Sequence, residues 1–264
     1  MILGKFPAPG GVDPTKPPKY TYTGQSELVT EEEGWKIRFL TSGTFTLLSP
    51  AKLDIDAFLV GGGASGWVGG GGGGYTTNGD VTLNRNTGYK ITIPSGGIAG
   101  NDSGANGGIC YAFGLSAEGG KTPSNHRGGA GGSGGGGETL IKNTTAGSGG
   151  SDGGDGGNGI SFNSTPLPGG KGQGTTTREF GEPSGELYSG GGGGLGFSAH
   201  SYGGAGGAGG GGAGGDDGGG AGGEDATFYG GGGGGGNETG ALPTSGSGYQ
   251  GICIIRNHRE AKTA

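Results

Sequence analysis

Blocks of glycine constrain this chain more than any other feature. Of its 264 residues 81 are Gly, concentrated at 69–74, 128–137, 147–159, 190–196, 203–223 and 230–236. Glycine buries no side chain and loses more backbone entropy on ordering than any other residue, so such blocks either stay disordered or fold where backbones pack directly on one another. The flanking segments favour the second reading. They are rich in Ile, Phe, Tyr and Val, unlike a Gly/Ser linker. With only 28% hydrophobic residues, a purely oil-like core is not expected for a chain of this length.

An extended helix of about three residues per turn would direct successive N–H and C=O groups to neighbouring segments and satisfy a backbone that has no side chains. Close approach would add weak Cα–H to carbonyl contacts, and only Gly permits that approach. Ten residues at about 3.1 Å each would span about 31 Å, so several blocks could stack as one slab. The expected fold is an all-β frame with a polyglycine II helix bundle and almost no α-helix. Collagen is excluded, because none of the 12 prolines falls in these blocks and the spacing of three between Ala205 and Ala208 is broken by Ala213 and Ala221.

The frame is written in alternation. Trp35, Ile37 and Phe39 alternate with Lys36 and Arg38, and Ser42-Gly43 leads into Thr44–Ser49, which reads as a hairpin. Leu53, Ile55, Ala57 and Leu59 alternate with Asp54, Asp56 and Phe58, which predicts a half-buried strand running into Gly61. Further strands are expected at 81–83, 89–93, 109–113 and 250–256, the last closing a sheet begun near the N-terminus. Three regions follow: an extended Pro-rich attachment arm over 1–25, a glycine-rich β/polyglycine II domain over 26–257, and a C-terminal tail over 258–264. A merely disordered terminus is the alternative for the arm.

Functional motifs are few. At this glycine content GxGxxG arises by chance about eight times and carries no information, and no GxxxxGK[ST] is present, since Gly172 follows Lys171. Gly153–Ser161 fits the calcium nonapeptide with Asn158 for Asp, but it does not recur, and a solvated turn is the reading. His126, His200 and His258 stand far apart, so neither metal nor cofactor is expected. Asp216-Asp217 and Glu224-Asp225 read as charged turns, and no enzyme activity is expected. The 16 Lys and Arg are scattered and outnumbered by 22 Asp and Glu, which argues against nucleic acid. No run reaches the roughly 18 apolar residues of a membrane span, and the N-terminus lacks the apolar region of a signal peptide. Cys110 and Cys253 each lie in an apolar run and read as buried thiols, with a bridge between them the alternative.

Aromatic residues gather near the ends of the glycine blocks: Trp67, Tyr75, Tyr188, Phe197, Tyr202, Phe228 and Tyr229. Two readings stand side by side. The rings either cap the slab as a small core would, or form an exposed surface for a protein or glycan partner.

The ordered set Trp35-Lys36-Ile37-Arg38-Phe39, Ser42-Gly43-Thr44-Phe45-Thr46, Ala57-Phe58-Leu59-Val60-Gly61-Gly62-Gly63 and Gly248–Arg256 resembles the glycine-rich domain family of phage and prophage tail proteins over residues 27–256. The glycine blocks also resemble the polyglycine II sandwich of tail-fibre tip adhesins, whose connecting loops contact host receptors. A similar region occurs in the extracellular part of anaplastic lymphoma kinase, so the architecture does not dictate one function. The resemblance implies a phage tail or tail-fibre structural protein in the virion, made in the bacterial cytoplasm without a signal peptide. Its implied partners are other virion tail proteins and a host surface protein or glycan, in a homo-oligomer guessed to be a trimer. A structural decoration or scaffold protein with no receptor of its own is the alternative.

Overall fold

The computed structural model describes residues 13, 15–32, 34–100, 104–125, 127–138, 170–196, 202–216, 222–236 and 245–259. These form an all-β structure of three sheets, with one three-residue 3-10 turn at Glu179–Gly181. Among them no helix is long and apolar enough to cross a membrane.

The strands, in chain order, are β1 (Lys19–Tyr22), β2 (Ser26–Glu31), β3 (Gly34–Phe39), β4 (Gly43–Ser49), β5 (Lys52–Val60), β6 (Thr76–Asn84), β7 (Gly88–Ile91), β8 (Cys110–Ala112), β9 (Leu115–Ala117) and β10 (Ile252–Asn257). One antiparallel sheet has the order β2-β3-β10-β5-β6, a second β1-β4-β7, and β8-β9 is a short ribbon. The C-terminal strand does return to the N-terminal sheet. It becomes the central strand, and every residue from Ile252 to Asn257 is buried.

The expected hairpin over 35–49 is corrected. β3 and β4 lie in different sheets, because the chain crosses at Leu40–Ser42, where the Leu40 and Gln25 backbones and the Thr41 hydroxyl tie the corner. The apolar alternation of both strands still points into one core. Trp35, Ile37 and Phe39 from one sheet face Phe45, Leu47 and Ile91 from the other, with Cys110, Ala112 and Ala117 of the ribbon at the side. The frame therefore has an ordinary apolar core despite the glycine content.

Part of the 1–25 stretch, assigned from sequence to an extended arm, is a strand of the frame. Residues 19–22 pair with β4, where Tyr20 stacks on Phe45 and Tyr22 packs at a tilt on Phe39, with ring centres 5.2 and 4.8 Å apart. Residues 1–12 lie outside the described part. β5 also departs from expectation: Phe58 is as buried as Leu59, because a second apolar cluster of Phe58, Val60, Ile252, Ile254 and Tyr188 covers the opposite face of the sheet.

Between Val60 and Thr76, which are paired across β5 and β6, the hairpin runs on as glycine. Here the direction of the N–H groups changes. Gly61, Gly62 and Gly63 donate to the carbonyls of Tyr75, Gly108 and Tyr249, and Ala64, Ser65 and Gly66 repeat the series on Gly72, Ala105 and Gly246, at 2.9 to 3.0 Å. The return segment does the same: Gly70 and Gly73 donate to Gly136 and Ser133, Gly71 and Gly74 to Gly233 and Gly230, Gly72 and Tyr75 to Lys121 and Glu118. Each segment thus serves three neighbours with a period of three residues. Gly61–Gly66 and Gly69–Gly74 are buried without contributing a side chain beyond those of Ala64 and Ser65.

Side chains are shut out by contact between main chains. A Cβ at Gly72 would overlap the Ala130 carbonyl oxygen, and one at Gly193 would overlap that of Gly204. The neighbouring backbone is itself hydrogen-bonded on other sides and cannot withdraw. Gly72→Ala and Gly193→Ala are therefore expected each to destabilise the fold by about 3 kcal/mol or more, whereas Ser116→Ala on exposed β9 changes stability by less than about 0.5 kcal/mol, as measured by denaturant unfolding.

Cys110 and Cys253 are both buried and free. Burial raises both thiols, Cys110 to about 12. Neither forms the reactive thiolate near neutrality. Iodoacetamide at neutral pH is expected to leave both unmodified in the native protein and to alkylate both in denaturant, as read by mass spectrometry.

Candidate functional site

The second face of the five-stranded sheet carries both polar chemistry and aromatic side chains. Its cations come from β3 and β10: Lys36 pairs in register with Arg256, and Arg38 with Ile254. The 177–188 segment lies over them with three carboxylates. Glu179 meets Lys36 at 2.7 Å, Glu182 meets Arg256 at 2.7 Å, and Glu186 meets Arg38 at 3.3 Å. Burial opposes the Lys36 charge, but Glu179 and Glu31 outweigh it and raise the ammonium above its ordinary value. Burial likewise opposes ionisation of Glu31, yet Lys36 and Arg259 hold it below the usual carboxylate range.

Under and beside this segment the rings form a row. Phe180 packs on Phe58 at 5.8 Å, Phe58 on Tyr188 at 5.2 Å, and Tyr188 on Phe228 at 5.1 Å. Phe228 meets Tyr229 at 5.2 Å, and Tyr229 meets Tyr249 at 5.6 Å, edge to face. The row runs from half-buried Phe180 through fully buried Phe58 and Tyr188 and surfaces at Tyr249, which is 38% exposed.

Of the residues singled out from sequence, Tyr188, Phe228 and Tyr229 are brought together here. Tyr188, a contact candidate from the sequence, is fully buried, and its hydroxyl lies 3.2 Å from carboxylate oxygens of both Glu179 and Glu186. Phe228 and Tyr229 are half-buried. Trp67 and Tyr75 stand apart, at the tip and the base of the glycine hairpin, and Tyr202 is 60% exposed beside Gly196. Phe197 lies outside the described residues, as do His126, His200, Asp217 and the 153–161 stretch. Asp216 and Asp225, expected in turns, are not turn residues: Asp216 forms an isolated bridge with Gly196, and the two carboxylates accept the Gly203 and Ser247 N–H groups of distant segments at 2.6 Å.

Sequence reasoning missed Tyr249, Phe58 and Phe180. Tyr249 stands between Gly248 and Gln250 of the closing segment and looked like part of a strand motif. Phe58 looked like the polar side of an alternating strand. Phe180 has no local pattern at all. Also missed was the setting of His258, assigned from sequence to a free tail. Its Nδ1 lies 2.6 Å from Asp56 Oδ1, while Arg256 donates to the other Asp56 oxygen at 2.9 Å. Asp80 completes a group of Asp56, Asp80 and His258 whose ligand atoms lie within 4.8 Å of one another. Asp56 is already satisfied by Arg256 and His258, so the contacts describe an ion-pair network rather than a vacant cation site.

These features define an all-β glycine-rich domain whose glycines are structural. A glycine-rich domain family model matches residues 40–258, well over half of the chain, and the chain belongs to that family. No match is found among the curated proteins.

The hydrogen bond to Asp56 raises the His258 pKa above its ordinary value of 6.5, with burial opposing. A raised folded-state pKa means that the stabilisation is complete below the unfolded value and is lost as pH rises through the folded one. Stability is expected to fall as pH rises from the unfolded value of about 6.5 through the raised folded one, and His258→Gln to flatten that slope, as followed by thermal unfolding.

Proposed function

We propose that the glycine segments form a polyglycine II bundle, and that the chain is a phage tail or tail-fibre structural protein contributing to host-surface attachment through loops at the ends of the glycine slab. The bundle reading is supported by the period-three donation of N–H groups from 61–66 and 70–75 to three neighbours each, the pattern expected of a helix with three residues per turn. The tail reading is supported by family membership together with the ordered motifs from Trp35 to Gly63 and from Gly248 to Arg256. Its partners would be other virion tail proteins and a host surface protein or glycan.

The observation that carries attachment is the placement of large aromatic surface at the margin of a slab that has almost no side chains. Tyr202 is 60% exposed and Tyr249 38%, and exposed Tyr supplies contact area at low entropic cost. The half-burial of Phe228 and Tyr229 favours the second reading, a purely structural virion protein whose rings cap the slab. Cell binding separates the two. Saturable binding of the purified chain to intact cells of a candidate host, reduced at least about tenfold by Tyr202→Ala combined with Tyr249→Ala, is expected for attachment. Absence of binding to a host that the parent particle infects would favour the structural role.

A further inference from the structure

At the far end of the ring row from Tyr249, a half-open groove of about 1040 Å3 lies between β6, the end of β10 and the 177–188 segment. That is the size of a small-molecule site. Its walls mix polar and apolar surface in about equal measure, and the polar part includes Asp56, Asn78, Asp80, Glu182, Arg256 and His258. One ring, Phe180, lies among them with φ 54° and ψ 15°. A bulky residue adopts this left-handed conformation only where its surroundings impose it. Here Phe58 packs on one side at 5.8 Å and the Arg256 guanidinium lies 4.1 Å from the ring centre.

The charges decide what such a groove can accept. Arg256 is engaged by Asp56 at 2.9 Å and Glu182 at 2.7 Å, and His258 by Asp56 at 2.6 Å. An incoming phosphate or carboxylate would have to take Arg256 or Arg259 from their carboxylates, and a cation held on Asp56 would have to displace Arg256 or His258 from it. A neutral ligand needs neither. A hydroxyl group donates to a carboxylate and accepts from an amide at the same time, so it adds to a set of ion pairs without breaking them. Asn78 and Asp80 supply such partners, exposed on edge strand β6 and in register with Phe58 and Asp56 of β5. We propose that this groove binds a neutral polyhydroxylated ligand, a saccharide chain, with hydroxyls on Asn78, Asp80 and Glu182 and C–H groups against Phe180. The site does not rest on the assignment to a phage tail.

The test is an amide NMR titration of the full chain with maltotetraose, cellotetraose and tetra-N-acetylchitotetraose, with inorganic phosphate and calcium chloride in parallel. The expected result is a shift of the Asn78, Gly79, Asp80 and Glu182 amides with at least one saccharide, and about tenfold weaker binding in Asn78→Ala and in Asp80→Ala. Both side chains are exposed, and an unchanged unfolding midpoint confirms that each variant is folded; the isosteric Asp80→Asn decides if either is not. The proposal is overturned if no saccharide moves these amides, if only phosphate or calcium does, or if binding survives the substitutions undiminished.

Discussion

Main chain packed directly on main chain is the constraint on which the rest of the structure depends. A β-strand sends its N–H groups alternately to two neighbours and keeps two faces for side chains. In 61–66 and 70–75 the same hairpin sends them to three neighbours in turn, and no face remains. The change occurs at Val60–Gly61 on one strand and Tyr75–Thr76 on the other, where side chains stop and glycine begins. Burial then comes from hydrogen-bond saturation and close approach instead of apolar area, which is how 61–66 and 69–74 are enclosed with almost no side chains.

The sheet next to this region solves the opposite problem. Both of its faces are covered, one by the three-stranded sheet and the other by the 177–188 segment and the aromatic row. Three carboxylates over Lys36, Arg38 and Arg256 fix where that segment lies, and Tyr188 anchors its end beneath the surface. The charged residues of β3 and β10 thus act as docking points on a covered face. Tyr188, whose hydroxyl sits between Glu179 and Glu186, belongs to both the ionic and the aromatic parts.

Much of the frame was legible because alternation has a direct meaning. Trp35, Ile37 and Phe39 announced an inward face, and the apolar run 252–255 announced a buried strand. What alternation could not tell was which strands would be partners. β3 and β4 read as a hairpin because they are adjacent and share an inward face, but a two-layer core asks the same pattern of strands in opposite layers. Phe58 was misread because a face covered by a distant segment has no local signature. His258 and Asp56 lie 202 positions apart, and linear spacing carries no trace of their contact. Among the aromatics, nearness to a glycine block marked Tyr188, Phe228 and Tyr229 as related, yet it could not separate the ring that anchors from those that reach the surface.

The position of β10 has a consequence for how the chain is made. It fills the gap between β3 and β5, so neither of those strands has its inner neighbour until residues 252–257 have left the ribosome. Throughout synthesis both present open edges, the surface on which chains pair wrongly with one another. The glycine excursions emerge during that interval, and Gly63 and Gly66 wait for Tyr249 and Gly246 as acceptors. The sheet thus waits on residues 252–257, and a chain ending before them would lose the centre of its sheet rather than its edge.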